Sequence, residues 1–341
     1  MRARLRLPFA AWLVLGAIVP AARAADPTTQ ELHFLYEVNR ARHDPPAWAA
    51  EHGLGALTGG DGLPVTLVGV APRPPVALSP LLVDSSRFKA QEMATHNYFG
   101  HMSTVDGRYA NEVVRSFGYP LPMMWPIPGQ ASFYTFYDGT NGVESLSAGY
   151  GPGTNDQTQA INAVIGLIVD PGVPSLGHRY HLLAIDDYDA IFVEAGAGYG
   201  VNASAQFKNY WAFHTGVRLE AQTYLTGVVY ADGNGNSLFD PGEGLSGVTV
   251  QAGASAAVTG PTGGYSLLVT DGGYALSCSG GAFVGTATGG VAVGGANHEV
   301  DCISGDPAAR VDFAPAPEPA GAELAAAALG ALAAVRRRRS G

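Results

Sequence analysis

The chain is 341 residues long and carries a formal net charge of −10, with 29 acidic against 19 basic side chains and two cysteines. Eight of the arginines lie in the two terminal segments, so without them the formal charge becomes about −18, before the carboxylates lost with those segments are counted. Lys89 and Lys208 are the only lysines and the remaining arginines form no cluster, which excludes a phosphate-neutralising surface and with it nucleic-acid binding.

Residues 1–24 place Arg2, Arg4 and Arg6 ahead of the apolar run Phe9 to Val19 and a small-residue exit at Ala22-Arg23-Ala24. The run falls short of the ~20 residues that span a bilayer, so it reads as a signal peptide cut after Ala24 and predicts export. From Gln30 to about Gly53, Leu32, Leu35 and Val38 recur at helical spacing, with Asn39, Arg40 and Arg42 at the polar end and Asp44-Pro45-Pro46 as the stop. A glycine- and proline-rich loop, Gly55 to Pro75, leads to a second helix over Pro80 to Asn97, anchored by Leu81, Leu82, Phe88 and Met93. Ser79 offers it a hydroxyl cap, and Pro80 sits where a backbone N–H would go unpaired in any case. Met123, Met124, Trp125, Phe133, Tyr134, Phe136 and Tyr137 follow; packing against the domain is the expectation, an apolar lid the alternative. Thr154 to Val169 returns to helical spacing, and AIFVEAGAGYGV and KNYWAFHTGV then read as strands, the first interrupted by glycines. Helices followed by strands predict an α+β domain over residues 25–219.

Beyond Glu220 the chain changes to short β-type runs separated by glycine turns, which predicts a small all-β sandwich over residues 220–313. Cys278 and Cys302 lie in no metal-ligand spacing, and in an exported protein they predict one disulfide. The segment DGNGNSLFDPGE has the ligand spacing of a calcium loop. Counting Asp232 as position 1, Asn234, Asn236, Leu238 through its carbonyl, Asp240 and Glu243 fall at 3, 5, 7, 9 and 12. Ser237 stands where position 6 asks for glycine. The final residues, 314–341, run from a proline-rich spacer through an apolar stretch, Leu324 to Val335, to Arg336–Arg339, the layout of a sorting tail with transient membrane contact.

Four motifs of the first domain, EVNRARHDP, MATHNYFGHMSTVDGR, GVESLSAGY and SLGHRYHLL followed by AIFVEAGAGYG, stand in an order that resembles the CAP superfamily (SCP/PR-1-like) in its bacterial form. The resemblance implies an α-β-α sandwich with a cleft in which two histidines and two acids form a tetrad able to hold zinc or another divalent metal. By motif these are His101, Glu144 and His178, with Asp170 as the fourth. Imidazole nitrogens with carboxylates suit zinc; without a metal the same groups make a hydrogen-bonded network. The chain departs from the family in reading Val143-Glu144-Ser145 for its GEN motif and Leu167 for its usual tryptophan, and in a long insertion before Glu144. His96, His181 and His214 are expected to be a helix-end, a packing and a strand residue.

The second domain, through VYADGNGNSLFDPGEGLSGVTVQ and TGGYSLLV, resembles the SdrD B-like repeat, which implies a calcium-stiffened spacer or adhesive module. Pro317-Glu318-Pro319, the apolar stretch and the arginines resemble a PEP-CTERM tail, which implies recognition by exosortase-type sorting machinery in a Gram-negative bacterium. Together these predict a secreted or envelope-associated protein that binds a small ligand or a surface polymer. The alternative is a secreted hydrolase, a peptidase or esterase, using His101, Glu144 and His178, although neither G-x-S-x-G nor H-E-x-x-H occurs.

Overall fold

The computed structural model describes residues 26–54, 67, 69–151 and 158–313. The signal peptide, the sorting tail and most of the Gly55 to Pro75 loop lie outside the described residues. Helix α1 (Thr29–His43) begins at a capping box in which the Thr28 hydroxyl accepts from Glu31 N and the Glu31 carboxylate accepts from Thr28 N. It ends at Asp44 as expected, but the chain turns helical again: Asp44 accepts from Ala47 N at 3.0 Å and caps α2 (Pro45–Glu51), where Pro45 costs no hydrogen bond. After β1 (Ala77–Leu78) comes α3 (Pro80–His96), and here the expected serine cap is absent. Ser79 instead donates its backbone N–H to Ala195 O, so strand pairing fixes the start of this helix.

The remaining elements of this unit are α4 (Ala110–Ser116), the hairpin β2 (Met124–Pro126) and β3 (Phe133–Thr135), β4 (Glu144–Gly149), α5 (Thr158–Val169), α6 (Gly177–Leu183), β5 (Glu194–Val201) and β6 (Asn209–Gly216). Strands β1, β5, β6 and β4 form a sheet in that order, parallel only between β1 and β5. Alternation along β5 explains its glycines. A Cβ on Gly196, Gly198 or Gly200 would stand 2.1–2.4 Å from backbone atoms of α3, so α3 lies against the bare peptide of the strand. The alternate residues, Ala195, Ala197 and Tyr199, face the opposite side, where they pack with α1 and α5. Helices therefore cover both faces of the sheet, and the molecule is of the α+β class.

From Thr223 to Val311 every described element is a strand. Strands β7 (Thr223–Tyr230), β8 (Thr249–Ala252), β9 (Ser255–Val258), β10 (Gly264–Val269), β11 (Gly272–Ser279), β12 (Thr286–Val293), β13 (His298–Ile303) and β14 (Ala309–Val311) form two four-stranded sheets, ordered β10-β7-β13-β14 and β12-β11-β8-β9. Leu225, Val229, Val250, Leu276 and Val300 pack between them, and the Cys278–Cys302 disulfide joins β11 of one sheet to β13 of the other.

The two units share a core. Val228, Tyr230, Phe239 and Ile303 of the second pack into the same cluster as Leu32, Leu35 and Tyr36 of α1. Helix α1 is thus covered on both sides, and its polar residues are buried with it. Three of them are held by named partners: Asn39 accepts from Val76 N (2.9 Å) and donates to Glu299 (2.9 Å), Arg42 Nε donates to Leu182 O (2.6 Å), and Glu37 accepts from Arg40 and from Trp48 Nε1.

Candidate functional site

Glu144 opens β4 at the end of the sheet, and its fully buried carboxylate is gripped from two directions. Oε1 is 2.8 Å from His101 Nδ1, and Oε2 is 2.9 Å from His214 Nε2. His101 sits in the turn after α3, where Lys89 Nζ donates to its carbonyl (3.0 Å) and to the Tyr98 hydroxyl (3.1 Å). His214 lies opposite Glu144 in the β4–β6 register, with Nδ1 at 2.9 Å from the Ser85 hydroxyl of α3. Burial alone would raise the Glu144 carboxyl; the hydrogen bonds from His101 and His214 outweigh it and hold the group down at about 2. Asn141 braces the turn, accepting from Glu144 N (3.0 Å) and donating to Glu144 O (3.0 Å).

A second pair forms across the cleft. Asp170 ends α5 in a left-handed conformation (φ 54°), and its carboxylate accepts from His178 N (3.0 Å) while its other oxygen is 2.7 Å from His178 Nδ1. Arg179 ties the start of α6 back to the last carbonyls of α5 through Ile168 O and Val169 O. The His101 and His178 rings stack with centroids 6.4 Å apart. A carboxylate can only accept, so Nδ1 of His178 carries the proton. At His101 the shorter contact to the ionised Glu144 sets the same tautomer, while Asn141 Nδ2, 3.0 Å from that nitrogen, gives its N–H to Glu144 O. A ring protonated only at Nδ1 keeps its lone pair on Nε2. Neither Nε2 has a partner among the described residues. The four residues named from the sequence are thus brought together as two histidine–carboxylate pairs, with the acids behind the rings.

The cavity between the pairs measures about 380 Å³ and is also lined by Ser145, Ser175, His181, Tyr188 and Asp189. His181 is buried between Ser145 Oγ (2.8 Å) and Thr215 Oγ1 (2.6 Å). Burial, with Arg42 nearby, pushes its pKa down to about 3, so it is a neutral structural link, in keeping with the packing role expected for it. His214 is the residue the sequence reading missed: its partnership with Glu144 depends on strand register, which leaves no local signature. His96 is exposed at the end of α3. No apolar lid covers the cleft: Trp125, Tyr134 and Phe136 pack inward, Met123, Met124, Phe133 and Tyr137 remain exposed, and none of the seven lines the cavity. The hairpin acts from behind, Tyr134 meeting the edge of Tyr188 at 5.0 Å.

In the second unit the 232–243 loop closes on itself. Asp232 accepts from the backbone N–H groups of Gly235, Asn236 and Ser237, and Glu243 accepts from those of Gly233 and Asp240. Asn234 and Asn236 both donate to Asp240 Oδ2, at 2.6 and 2.8 Å. Ser237 takes the left-handed conformation (φ 64°) that glycine usually supplies, with its carbonyl held by the Tyr230 hydroxyl and Arg310. Phe239, beside Leu238, anchors the loop in the shared core, and its N–H donates to the Tyr36 hydroxyl.

Among the described residues no three or more His, Cys, Asp or Glu side chains gather as a metal-binding group. In the cleft the carboxylates are taken up by the imidazoles, and in the loop part of the oxygen set comes from asparagine. No family model matches the chain, and no curated protein matches it either. No helix among the described residues is long and apolar enough to cross a membrane.

Proposed function

We propose that the chain is an exported, envelope-associated or extracellular binding protein of a Gram-negative bacterium, in which a CAP-like unit binds a divalent cation such as zinc through Nε2 of His101 and His178. One observation carries this reading: two neighbouring imidazoles each commit Nδ1 to a buried carboxylate and line the same cavity, which leaves Nε2 of each as its available lone pair. That is the arrangement in which an outer carboxylate fixes the tautomer and raises the basicity of a metal-binding histidine. The donor set fits: nitrogen ligands suit zinc, and no lysine or arginine among the described residues lines the cavity to repel a cation. When bound, the ion would supply a positive centre for an oxygen- or nitrogen-bearing ligand. The helix layers on both faces of the sheet and the order of the four motifs support the CAP-like assignment. Calorimetric titration of chelator-treated protein with zinc tests it: one site is expected, weakened at least about tenfold in His101→Ala and in His178→Ala. Equal affinity in all three proteins would sink the assignment.

The 232–243 loop is proposed to hold calcium in the SdrD B-like unit, through Asp232, Asn234, Asn236, Asp240, Glu243 and the Leu238 carbonyl. Its donors are all oxygen, and Ser237 already has the backbone conformation the sharp turn needs. Saturating calcium should raise the melting temperature, and Asp240→Ala should abolish the rise. An unchanged rise in that variant would refute the loop. The tail of residues 314–341 is proposed to engage exosortase-type sorting machinery, and the cleft to serve a small ligand or a surface polymer.

A further inference from the structure

Asp189 opens the 3₁₀ turn Asp189–Ile191 and lines the same cavity as the two cleft histidines. It is 7% exposed and makes no ion pair among the described residues, and the hydrogen-bonding neighbour of its carboxyl is itself a carboxyl, that of Asp186. Its nearest polar neighbour is another acid, Asp186, whose Oδ1 is engaged by Asp189 N (2.8 Å). Arg42, the buried cation on that side, spends its guanidinium on Leu182 O and His181 O. Two carboxyls set against each other at a buried position need either a shared proton or a cation from elsewhere. Burial and then Asp186 raise its pKa to about 7, so the structure leaves it short of positive charge.

We propose that Asp189 seats a primary ammonium group, so that the ligand of the cleft is an amine-bearing compound held at one end by Asp189 and at the other by the His101–His178 centre. An ammonium suits this corner better than a second metal ion. It is satisfied by one carboxylate and a few neutral acceptors, whereas a divalent ion calls for several ligands that do not converge among the described residues. The Tyr188 ring adds an aromatic wall beside it, its hydroxyl already committed to Gly142 O at 2.8 Å. The absence of lysine and arginine from the cavity lining disfavours an anionic ligand.

This inference rests on reading the cavity as a ligand site, and the test keeps the two ideas apart. Full-chain protein is titrated with n-butylamine, n-butanol and butyrate while amide shifts are followed by NMR, and zinc is titrated separately. Butylamine should bind about tenfold more tightly than butanol and perturb the amides of residues 188–191, and Asp189→Asn should remove the preference while leaving zinc affinity unchanged. No preference for the amine in the wild type would overturn the proposal, and so would a preference that survives in a folded Asp189→Asn protein. Should that variant fail to fold, the wild-type shift map decides: shifts away from residues 188–191 refute the site. Amine binding without zinc binding would remove the metal reading alone, and the converse would remove only this one.

Discussion

Gly198→Ala is the substitution with the most calculable consequence. An ideal Cβ at this position would stand 2.1 Å from Arg87 N and Ser86 C and 2.2 Å from Ser86 O, all backbone atoms that cannot rotate away. Ordinary contact begins near 3.4 Å, so α3 must retreat from β5 by roughly 1.3 Å. Ser85 rides on α3, and its 2.9 Å bond to His214 would open past hydrogen-bonding distance. Overpacking of this kind costs about 1–3 kcal/mol and the lost buried hydrogen bond about 1 more, a total near the upper end at roughly 3–4 kcal/mol. For a protein of this size that lowers the melting temperature by on the order of 10 °C. Gly273→Ala, where a Cβ would meet nothing within 4 Å, is the control and should change little. Thermal unfolding followed by circular dichroism reads both. If Gly198→Ala melts within about 2 °C of the parent, the close approach of helix and strand is wrong as described.

Asp301 is buried on the seam and burial raises its pKa to about 7, so the folded chain keeps a proton that the unfolded chain releases near 4. Stability should therefore fall as pH rises above about 4, the neighbouring buried Glu299, whose carboxyl burial also raises, adding to the decline, and Asp301→Asn should make that decline shallower; parallel pH–denaturation curves would argue against it. Replacing Cys278 and Cys302 together by alanine should cost roughly 3–4 kcal/mol in urea unfolding, since the bridge closes a loop of 24-residue separation; loss of under about 1 kcal/mol would contradict this. Gly166→Ala, inside α5 with Ser147 Oγ the nearest atom at 3.8 Å, should stabilise by about 0.5–1 kcal/mol, and a lower melting temperature would show that the space is not there.

What could be read from the residues alone was whatever depends on local pattern. The Asp44-Pro45-Pro46 stop, strands β5 and β6, the β-rich second half and the cysteine pair all announce themselves within a few positions. What could not be read depends on neighbours far along the chain. The polar end of the first helix gives no local sign that Glu299 of the second unit takes Asn39 and that the carbonyls of α6 take Arg42. The same limit applies at the cleft. His101, Glu144, Asp170 and His178 could be named from motifs, whereas His214 and Asp189 reach the site only through strand register and a turn that no periodicity marks. The glycines of β5 could be seen as interruptions, but their purpose is the approach of α3.

The burial of α1 between two sheets also constrains the order in which the molecule can be completed. Its Asn39 is bonded to Glu299, 260 residues away, and its apolar side packs on β7 and β13. A chain that emerges N-terminus first therefore presents this helix long before its last partner exists. Final consolidation has to wait for strand β13, nearly the end of the chain, and contacts of such long range make folding slow. Until then the acidic stretch of chain between the terminal segments, with the charge repulsion it carries, helps to keep the exposed helix from premature association.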